Sequence, residues 1–162
     1  MQDFFEPRAG DRAPDFQLPS TGEKEISLRD YKGKDVILYF YPKDDTPGCT
    51  KEACAFRDAI GDIQKEGAIV LGVSTDSVES HEKFREKYNL NYPLLSDETS
   101  DVVKMYGMWK EKNLYGRRSW GVVRGTYWIG RDGRVRKVYK KVDPASHAAQ
   151  ILEDLRGAKE KK

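Results

Sequence analysis

Six consecutive apolar or aromatic residues, Val36 to Tyr41, limit the folds that this chain can adopt. So short a run of β-forming residues, ended by Pro42, is typical of a strand buried on both faces, as in a parallel sheet. A helical pattern follows from about Cys49 to Glu66, and its apolar residues recur every three or four positions. A second apolar run covers 68–73. The order strand, helix, strand predicts an α/β protein with parallel strands.

Turn and strand signals place the other elements around this unit. The remaining predicted elements are a hairpin of 15–18 and 26–28, a helix over 77–89, a strand over 92–95, a helix over 100–106, a long loop over 107–122, a hairpin of 126–129 and 135–138, and a final helix. Asp143 is the expected cap of that helix, with Pro144 in its first turn. Three aromatic residues of the long loop are expected to pack, with covering of the functional site as the alternative: Trp109, Tyr115 and Trp120. The whole pattern predicts a mixed central sheet with helices on both faces and an N-terminal β-hairpin.

Size and charge exclude several classes of protein. The chain has 162 residues, which suits one domain over 1–162 with a few frayed residues at each end, including the tail 159–162. Lys and Arg total 29 against 27 Asp and Glu, so the net charge of +2 favours neither a nucleic acid nor an acidic membrane as partner. No apolar run approaches the roughly 18 residues of a membrane span, and Met1 to Arg12 do not resemble a signal peptide. We therefore expect a cytoplasmic protein, in which a cysteine pair is more often catalytic or metal-binding than a structural disulfide.

Cys49 lies where a helix is expected to begin, after a loop that contains proline and glycine. The N-terminus of a helix carries a partial positive charge and free backbone N–H groups, and both favour the nucleophilic thiolate. A peroxide reaction also needs donors that hold the peroxide oxygens as the O–O bond breaks. The free N–H groups and the Thr46 hydroxyl are expected to be these donors, while Pro42 and Pro47 shield the sulfur from water. The position of Cys49 therefore indicates a reactive cysteine, and the groups expected around it suit a reaction with peroxides.

The second cysteine, Cys54, follows five residues later in the same predicted helix. In an ideal helix the two residues are about 140° apart around the axis, and their Cα atoms are separated by more than about 8 Å. Since a disulfide requires Cα atoms within about 7 Å, the pair can bridge only if the first turns of the helix unwind. We predict that Cys49 is oxidised to a sulfenic acid, that the helix start unwinds, and that Cys54 condenses with it to a disulfide. The alternative for Cys54 is a small packing residue without a redox role.

A metal site is not indicated by the sequence. The two cysteines lack further cysteine partners, and His81 and His147 are distant from them along the chain. We therefore expect no metal and no cofactor, and we expect each histidine to be a packing or surface residue.

The segment from Tyr41 to Cys54 resembles the active-site segment of the peroxiredoxins, and most of all that of the branch of the bacterioferritin comigratory protein and PrxQ. The later segments 72–76, 94–97 and 124–126 resemble this branch as well, so the similarity extends over almost the whole chain. The resemblance implies a thioredoxin-like fold and a thiol-specific peroxidase that reduces hydrogen peroxide and organic hydroperoxides in antioxidant defence.

The resemblance also implies roles for the residues at matching positions. Cys49 is the peroxidatic cysteine, and Thr46 and Pro42 line its pocket. Arg124 stabilises the thiolate and positions the peroxide, and Glu52 orients that arginine. A guanidinium in this place is chemically reasonable because it stabilises negative charge on the sulfur and in the transition state.

Cys54 matches the resolving cysteine of those PrxQ-like members that have an intrahelical partner. The resemblance then implies that a thioredoxin-like protein re-reduces the disulfide between Cys49 and Cys54. No further cysteine lies near the C-terminus, which excludes the intersubunit disulfide of the typical two-cysteine peroxiredoxins. We expect a monomer, with a dimer as the alternative.

Two other functions on the same fold stay open. A thiol–disulfide oxidoreductase would act on protein disulfides, but such enzymes usually carry Cys-x-x-Cys at the helix start. The segment 122–125 also lacks the proline that thioredoxins keep beside their site. A non-enzymatic redox sensor would be oxidised once and expose a surface to a partner. Peroxide consumption, insulin reduction and repeated turnover distinguish the three functions.

Overall fold

The computed structural model describes residues 6–160. Its strands are β1 (Gln17–Ser20), β2 (Lys24–Ser27), β3 (Asp35–Phe40), β4 (Ala68–Ser74), β5 (Leu94–Ser96), β6 (Trp109–Leu114), β7 (Arg117–Val122), β8 (Gly125–Ile129) and β9 (Val135–Tyr139). Its helices are α1 (Pro47–Lys65), α2 (Val78–Tyr88), α3 (Asp101–Met105) and α4 (His147–Glu160), with a 3₁₀ turn at Leu28–Tyr31. Most predicted elements agree with these bounds to within about two residues; the segment before β8 and the final helix do not.

Seven strands form one mixed sheet in the order β2-β1-β5-β4-β3-β8-β9, and β6 and β7 form a separate two-stranded sheet. The strands β3, β4 and β5 are parallel, whereas β1, β2, β8 and β9 are joined antiparallel. This arrangement confirms the predicted mixed sheet and its N-terminal hairpin.

The central strand β3 is buried on both faces, as its apolar run predicts. Val36, Leu38 and Phe40 belong to one hydrophobic cluster, together with residues of α3. Ile37 and Tyr39 belong to a second cluster, together with residues of α1 and α4. Helices therefore cover both faces of the sheet, as the sequence predicts.

The expectation of a long loop over 107–122 is wrong, because most of this segment forms the β6–β7 hairpin. Its turn consists of Tyr115 and Gly116, which both have positive φ, as in the two-residue hairpin turns of type I′. Most residues of β6 and β7 are exposed or charged, so the alternation of apolar and polar residues that reveals a strand is missing. The hairpin is a product of backbone pairing and turn geometry, which a search for apolar patterns does not detect.

The aromatic residues of this hairpin do not all pack. Trp109 lies against the first hydrophobic cluster, as expected. Tyr115 is 99% exposed at the turn, and Trp120 is 58% exposed on β7. The expected packing is therefore wrong for Tyr115 and Trp120.

The final helix begins later than expected. Asp143 and Pro144 precede α4, and the Asp143 carbonyl closes a turn by accepting from the backbone N–H groups of Ser146 at 3.2 Å and His147 at 3.0 Å. The helical periodicity therefore starts after this turn.

Part of the C-terminal tail that was expected to fray is helical. The backbone of α4 is helical through Glu160, so the first half of the tail 159–162 continues the helix. The other terminal residues that were expected to fray, 1–5 and 161–162, lie outside the described residues. Within residues 6–160, no helix combines the length and the apolar character that crossing a membrane requires.

Candidate active site

The loop between β3 and α1 places Cys49 in the first turn of the helix. Thr46 is the N-cap, Pro47 is the first helical residue and Cys49 is the third. The first backbone bond of the helix joins the N–H of Thr50 to the Thr46 carbonyl at 2.8 Å. Cys49 is only 1% exposed and packs in the second hydrophobic cluster. The cysteine thus lies buried at the positive end of the helix dipole, where the sequence predicts it.

The Thr46 side chain does not cap the helix. Its hydroxyl donates to the Lys43 carbonyl at 2.8 Å and makes no capping hydrogen bond. Because the hydroxyl proton is engaged, Oγ1 can offer a bound peroxide its lone pairs but no proton. This geometry differs from the donor role expected from the sequence, and it leaves donation to the backbone N–H groups and to other side chains.

The two prolines that were expected to shield the sulfur differ in placement. Pro42 lies two residues after the end of β3 and is half-buried, whereas Pro47 is exposed at the first position of α1. An exposed ring excludes little water from a buried sulfur, so the structure does not support a shielding role for Pro47.

Arg124 contacts both Cys49 and Glu52. Its Nη2 donates to the Cys49 sulfur at 3.3 Å, and its Nη1 donates to Glu52 Oε1 at 2.7 Å. The sheet register explains this approach: Gly125 of β8 pairs with Phe40 of β3, which places Arg124 beside the loop that leads to α1. The structure therefore brings together three residues that lie as far as 75 positions apart in the chain.

Gly48 leaves room for the guanidinium. A Cβ atom at position 48 would lie 3.1 Å from Nη2 of Arg124, which is tighter than most Cβ contacts. A side chain there would therefore press on the group that donates to the Cys49 sulfur.

Glu52 is fully buried, and its surroundings change its acidity. Burial raises the pKa of this carboxyl from 4.5 to about 7, although the charge and the hydrogen bond of Arg124 act in the opposite direction. Oε2 is buried without a hydrogen-bond partner among the described residues, so the proton belongs on this oxygen while Oε1 accepts from Arg124. Burial also acts to lower the pKa of Arg124, but the Glu52 carboxylate and the Cys49 sulfur outweigh it, and Arg124 stays charged. Near neutral pH, Glu52 therefore changes between a neutral and a charged form, while its partner Arg124 stays positively charged.

Lys112 of β6 is a second cation near the site, and no motif or apolar pattern in the sequence points to it. Burial lowers the pKa of Lys112, the Cys49 sulfur acts to raise it, and the Arg124 charge acts to lower it. Across the hairpin, the Lys112 side chain lies 3.7 Å from the position that a Cβ of Gly121 would occupy. The β6–β7 hairpin thus places an ammonium group within the electrostatic range of the sulfur, which only a correct prediction of the hairpin would have revealed.

The loop before Cys49 is held by α2. The Asp44 carboxylate accepts from the Ser80 hydroxyl at 2.8 Å and lies 2.7 Å from Nδ1 of His81. Nε2 of His81 lies 2.9 Å from the Leu95 carbonyl. These contacts tie the loop to α2 and β5 and thereby hold the start of α1 in place.

Both histidines are buried packing residues, in line with the expectation from the sequence. Nε2 of His147 lies 2.8 Å from the Thr126 hydroxyl. Asp44, Asp76 and His81 bring three potential metal-ligand atoms within 4.8 Å of one another. Their atoms already take part in the hydrogen bonds that hold the loop before Cys49, so we assign them no metal.

Cys54 lies in the same helix as Cys49 and is partly exposed. Both cysteines are free thiols in this structure. Because α1 is helical from Pro47 to Lys65, its geometry keeps the two residues at the separation that the ideal helix predicts. Any bridge between them requires the helix to change shape.

Known proteins resemble this chain over most of its length. The sequence pattern of the AhpC/TSA family matches residues 9–138. The chain is 48% identical over 143 residues to the putative peroxiredoxin bcp of Coxiella burnetii. The aligned region covers 88% of this chain and 95% of that protein. It is 43% identical over 152 residues to the peroxiredoxin Bcp of Bacillus subtilis, with 94% and 97% covered.

Solved structures agree with these relatives. A cysteine-to-serine variant of PrxQ from Xylella fastidiosa has a TM-score of 0.91 and 33% identity, with 96% of this chain and 99% of that chain covered. The bacterioferritin comigratory protein of Xanthomonas campestris, studied for its alkyl peroxide reduction activity, has a TM-score of 0.85 and 35% identity, with 96% and 99% covered. These similarities confirm the thioredoxin-like fold, and they show that the chain belongs to the AhpC/TSA family, in the peroxiredoxin branch of the Bcp and PrxQ proteins.

Proposed function

We propose that this protein reduces hydroperoxides with Cys49 as the peroxidatic cysteine. The observation that carries the proposal is the contact between Arg124 and the buried Cys49 sulfur at 3.3 Å, in the first turn of a helix. Both the guanidinium and the helix N-terminus stabilise negative charge on the sulfur and on the oxygen that leaves. Membership of the family makes the protein a peroxidase of the peroxiredoxin type, and the geometry supports a role for each residue of the site.

The first step is an attack of the Cys49 thiolate on the terminal oxygen of the peroxide. A sulfur–oxygen bond forms, the O–O bond breaks, and the sulfur becomes a sulfenic acid. The other oxygen leaves as an alkoxide, or as hydroxide from hydrogen peroxide, and takes up a proton to form an alcohol or water. Arg124 donates to the reacting oxygens as their charge develops, while Thr46 Oγ1 accepts from the O–H of the peroxide. Pro42 lines the pocket, and Glu52 holds Arg124 in position.

The second step joins the two cysteines. The Cys54 sulfur displaces the hydroxyl of the sulfenic acid, which leaves as water, and a disulfide forms between Cys49 and Cys54. The first turns of α1 unwind to allow this step, because the intact helix keeps the residues apart. A thioredoxin-type protein then supplies the two electrons and two protons that return the disulfide to two thiols.

The substrates, the oligomeric state and the cellular location complete the proposal. Organic hydroperoxides are included beside hydrogen peroxide because the Xanthomonas campestris relative, at 35% identity, was studied for alkyl peroxide reduction. A monomeric state and a cytoplasmic location stay predictions, which size-exclusion chromatography and cell fractionation can test.

Mass spectrometry after one equivalent of hydrogen peroxide tests the roles of both cysteines. The wild type should lose two hydrogens as the disulfide forms. The Cys54→Ser variant should instead carry added oxygen on Cys49, and Cys49→Ser should form neither product. A Cys49 thiol that stays unreacted in the wild type would refute the proposed peroxidase mechanism.

Two further assays separate this function from its rivals. Fast reduction of insulin without consumption of peroxide would favour a thiol–disulfide oxidoreductase. A single burst of oxidation, with no turnover when thioredoxin and its reductase are supplied, would favour a redox sensor. We expect continuous peroxide consumption and slow insulin reduction.

A further inference from the structure

Tyr92 forms a buried hydrogen bond with α1. Its hydroxyl donates to the Ala53 carbonyl at 2.9 Å. The hydroxyl of Tyr39 lies 2.8 Å from that of Tyr92. Since the Tyr92 proton is engaged with Ala53, Tyr39 is the donor in this pair. Burial raises the pKa of both tyrosines, so both hydroxyls stay protonated and the chain of donors runs from Tyr39 through Tyr92 to Ala53.

Ala53 lies directly before Cys54, within the part of the helix that separates the two cysteines. In the folded helix its carbonyl also faces the backbone N–H of Arg57, four residues later. The unwinding that brings Cys49 to Cys54 takes Ala53 out of its helical position. A buried tyrosine hydroxyl would then lose its acceptor, which opposes the change.

Other contacts hold the helix beyond this point to the same segment of chain. Arg57 Nη1 donates to the Tyr88 carbonyl at 2.6 Å, and Asn91 Nδ2 donates to the Arg57 carbonyl at 3.3 Å. Tyr92 therefore extends the contacts between α1 and the segment 88–92 toward the N-terminus of the helix, as far as Ala53.

We propose that Tyr92 is a positioning residue that holds α1 folded at Ala53 and thereby slows formation of the Cys49–Cys54 disulfide. This inference rests on the proposed function. A folded helix keeps Cys49 beside Arg124, ready for attack on peroxide. It also leaves the sulfenic acid open to a second peroxide, whose O–O bond breaks as it delivers one oxygen to the sulfur, giving a sulfinic acid and an alcohol or water. Tyr92 thus sets the balance between a ready active site and irreversible oxidation.

The Tyr92→Phe variant removes the hydrogen bond to Ala53 and keeps the ring. Disulfide formation after oxidation should become about fivefold faster, and the ratio of sulfinic acid to disulfide at high peroxide should fall by a similar factor. Tyr39→Phe is the matched control, because it also removes one buried hydroxyl but keeps the bond from Tyr92 to Ala53. The double variant removes both hydroxyls, so it leaves no Tyr39 hydroxyl without its partner. It should behave like Tyr92→Phe.

Rapid-quench mass spectrometry measures both products, and hydrogen exchange at the backbone of 50–57 measures the opening of the helix directly. Exchange there should rise in Tyr92→Phe and stay near the wild-type level in Tyr39→Phe. Equal product ratios in the two single variants would overturn the inference while leaving the peroxidase mechanism intact. A wild type that never forms the disulfide would overturn the proposed second step and this inference together.

Discussion

Replacing Glu52 by glutamine tests whether the carboxyl beside Arg124 exchanges a proton near neutral pH. Glutamine keeps the shape of the side chain and an oxygen that accepts from Arg124, but it cannot ionise. Burial raises the pKa of Glu52 from 4.5 to about 7, so over this range the native state holds a proton that the unfolded chain has lost. Because the unfolded state binds fewer protons, this group makes the wild type less stable as the pH rises through the range. The variant lacks that contribution.

The size of the effect follows from the two pKa values. The rise from 4.5 to about 7 corresponds to about 3 kcal/mol of unfolding free energy, lost between about pH 4.5 and about pH 7.5. Glu52→Gln also carries a cost of about 1–3 kcal/mol that does not depend on pH, because its amide nitrogen replaces Oε2, which has no partner among the described residues. The variant should therefore gain about 3 kcal/mol relative to the wild type over the range, whatever its stability at the acid end.

Urea unfolding at a series of pH values, followed by circular dichroism, measures this difference. Glu98→Gln is the control, because Glu98 is exposed and the exchange also removes one carboxylate from the chain. A difference between Glu52→Gln and the wild type that stays constant with pH would refute the reasoning. It would mean that the attraction of Arg124 matches the effect of burial.

Three further predictions concern the site and its support. Arg124→Ala should slow the reaction with hydrogen peroxide on the order of 10²-fold, because it removes a donor to the reacting oxygens; an unchanged stopped-flow rate would show that another group stabilises them. Thr46→Val should slow the same reaction on the order of tenfold, whereas Thr46→Ser keeps the accepting oxygen and most of the rate; equal rates in both variants would contradict the acceptor role. Phe56→Ala should lower the free energy of unfolding in urea by about 3–5 kcal/mol, because the ring is buried and its centroid lies 4.7 Å from that of the stacked Tyr39 ring. A loss below about 1 kcal/mol would contradict its place in the core.

The hairpin of β6 and β7 shows where patterns in the sequence stop being informative. Its strands carry charged and exposed residues, so burial leaves no alternating signal along them. The turn at Tyr115 and Gly116 requires positive φ at both residues. Only Gly116 is a residue type that indicates such a turn in the sequence. The position of Lys112 near Cys49 depends on this hairpin, and so it was also missed.

The sequence by itself determined the local features of the site. The buried strand before Cys49, the helix that begins near it, and the position of Cys54 in that same helix follow from neighbouring residues, whose periodicity and turn signals depend on burial and backbone geometry. The meeting of Arg124 with Glu52 was expected only from the resemblance to a family. The tertiary structure decided it through the pairing of β3 with β8, and it alone revealed the contact of Tyr92 with the helix. Contacts of this kind depend on strand order and register over long separations, which the local pattern of residues does not encode.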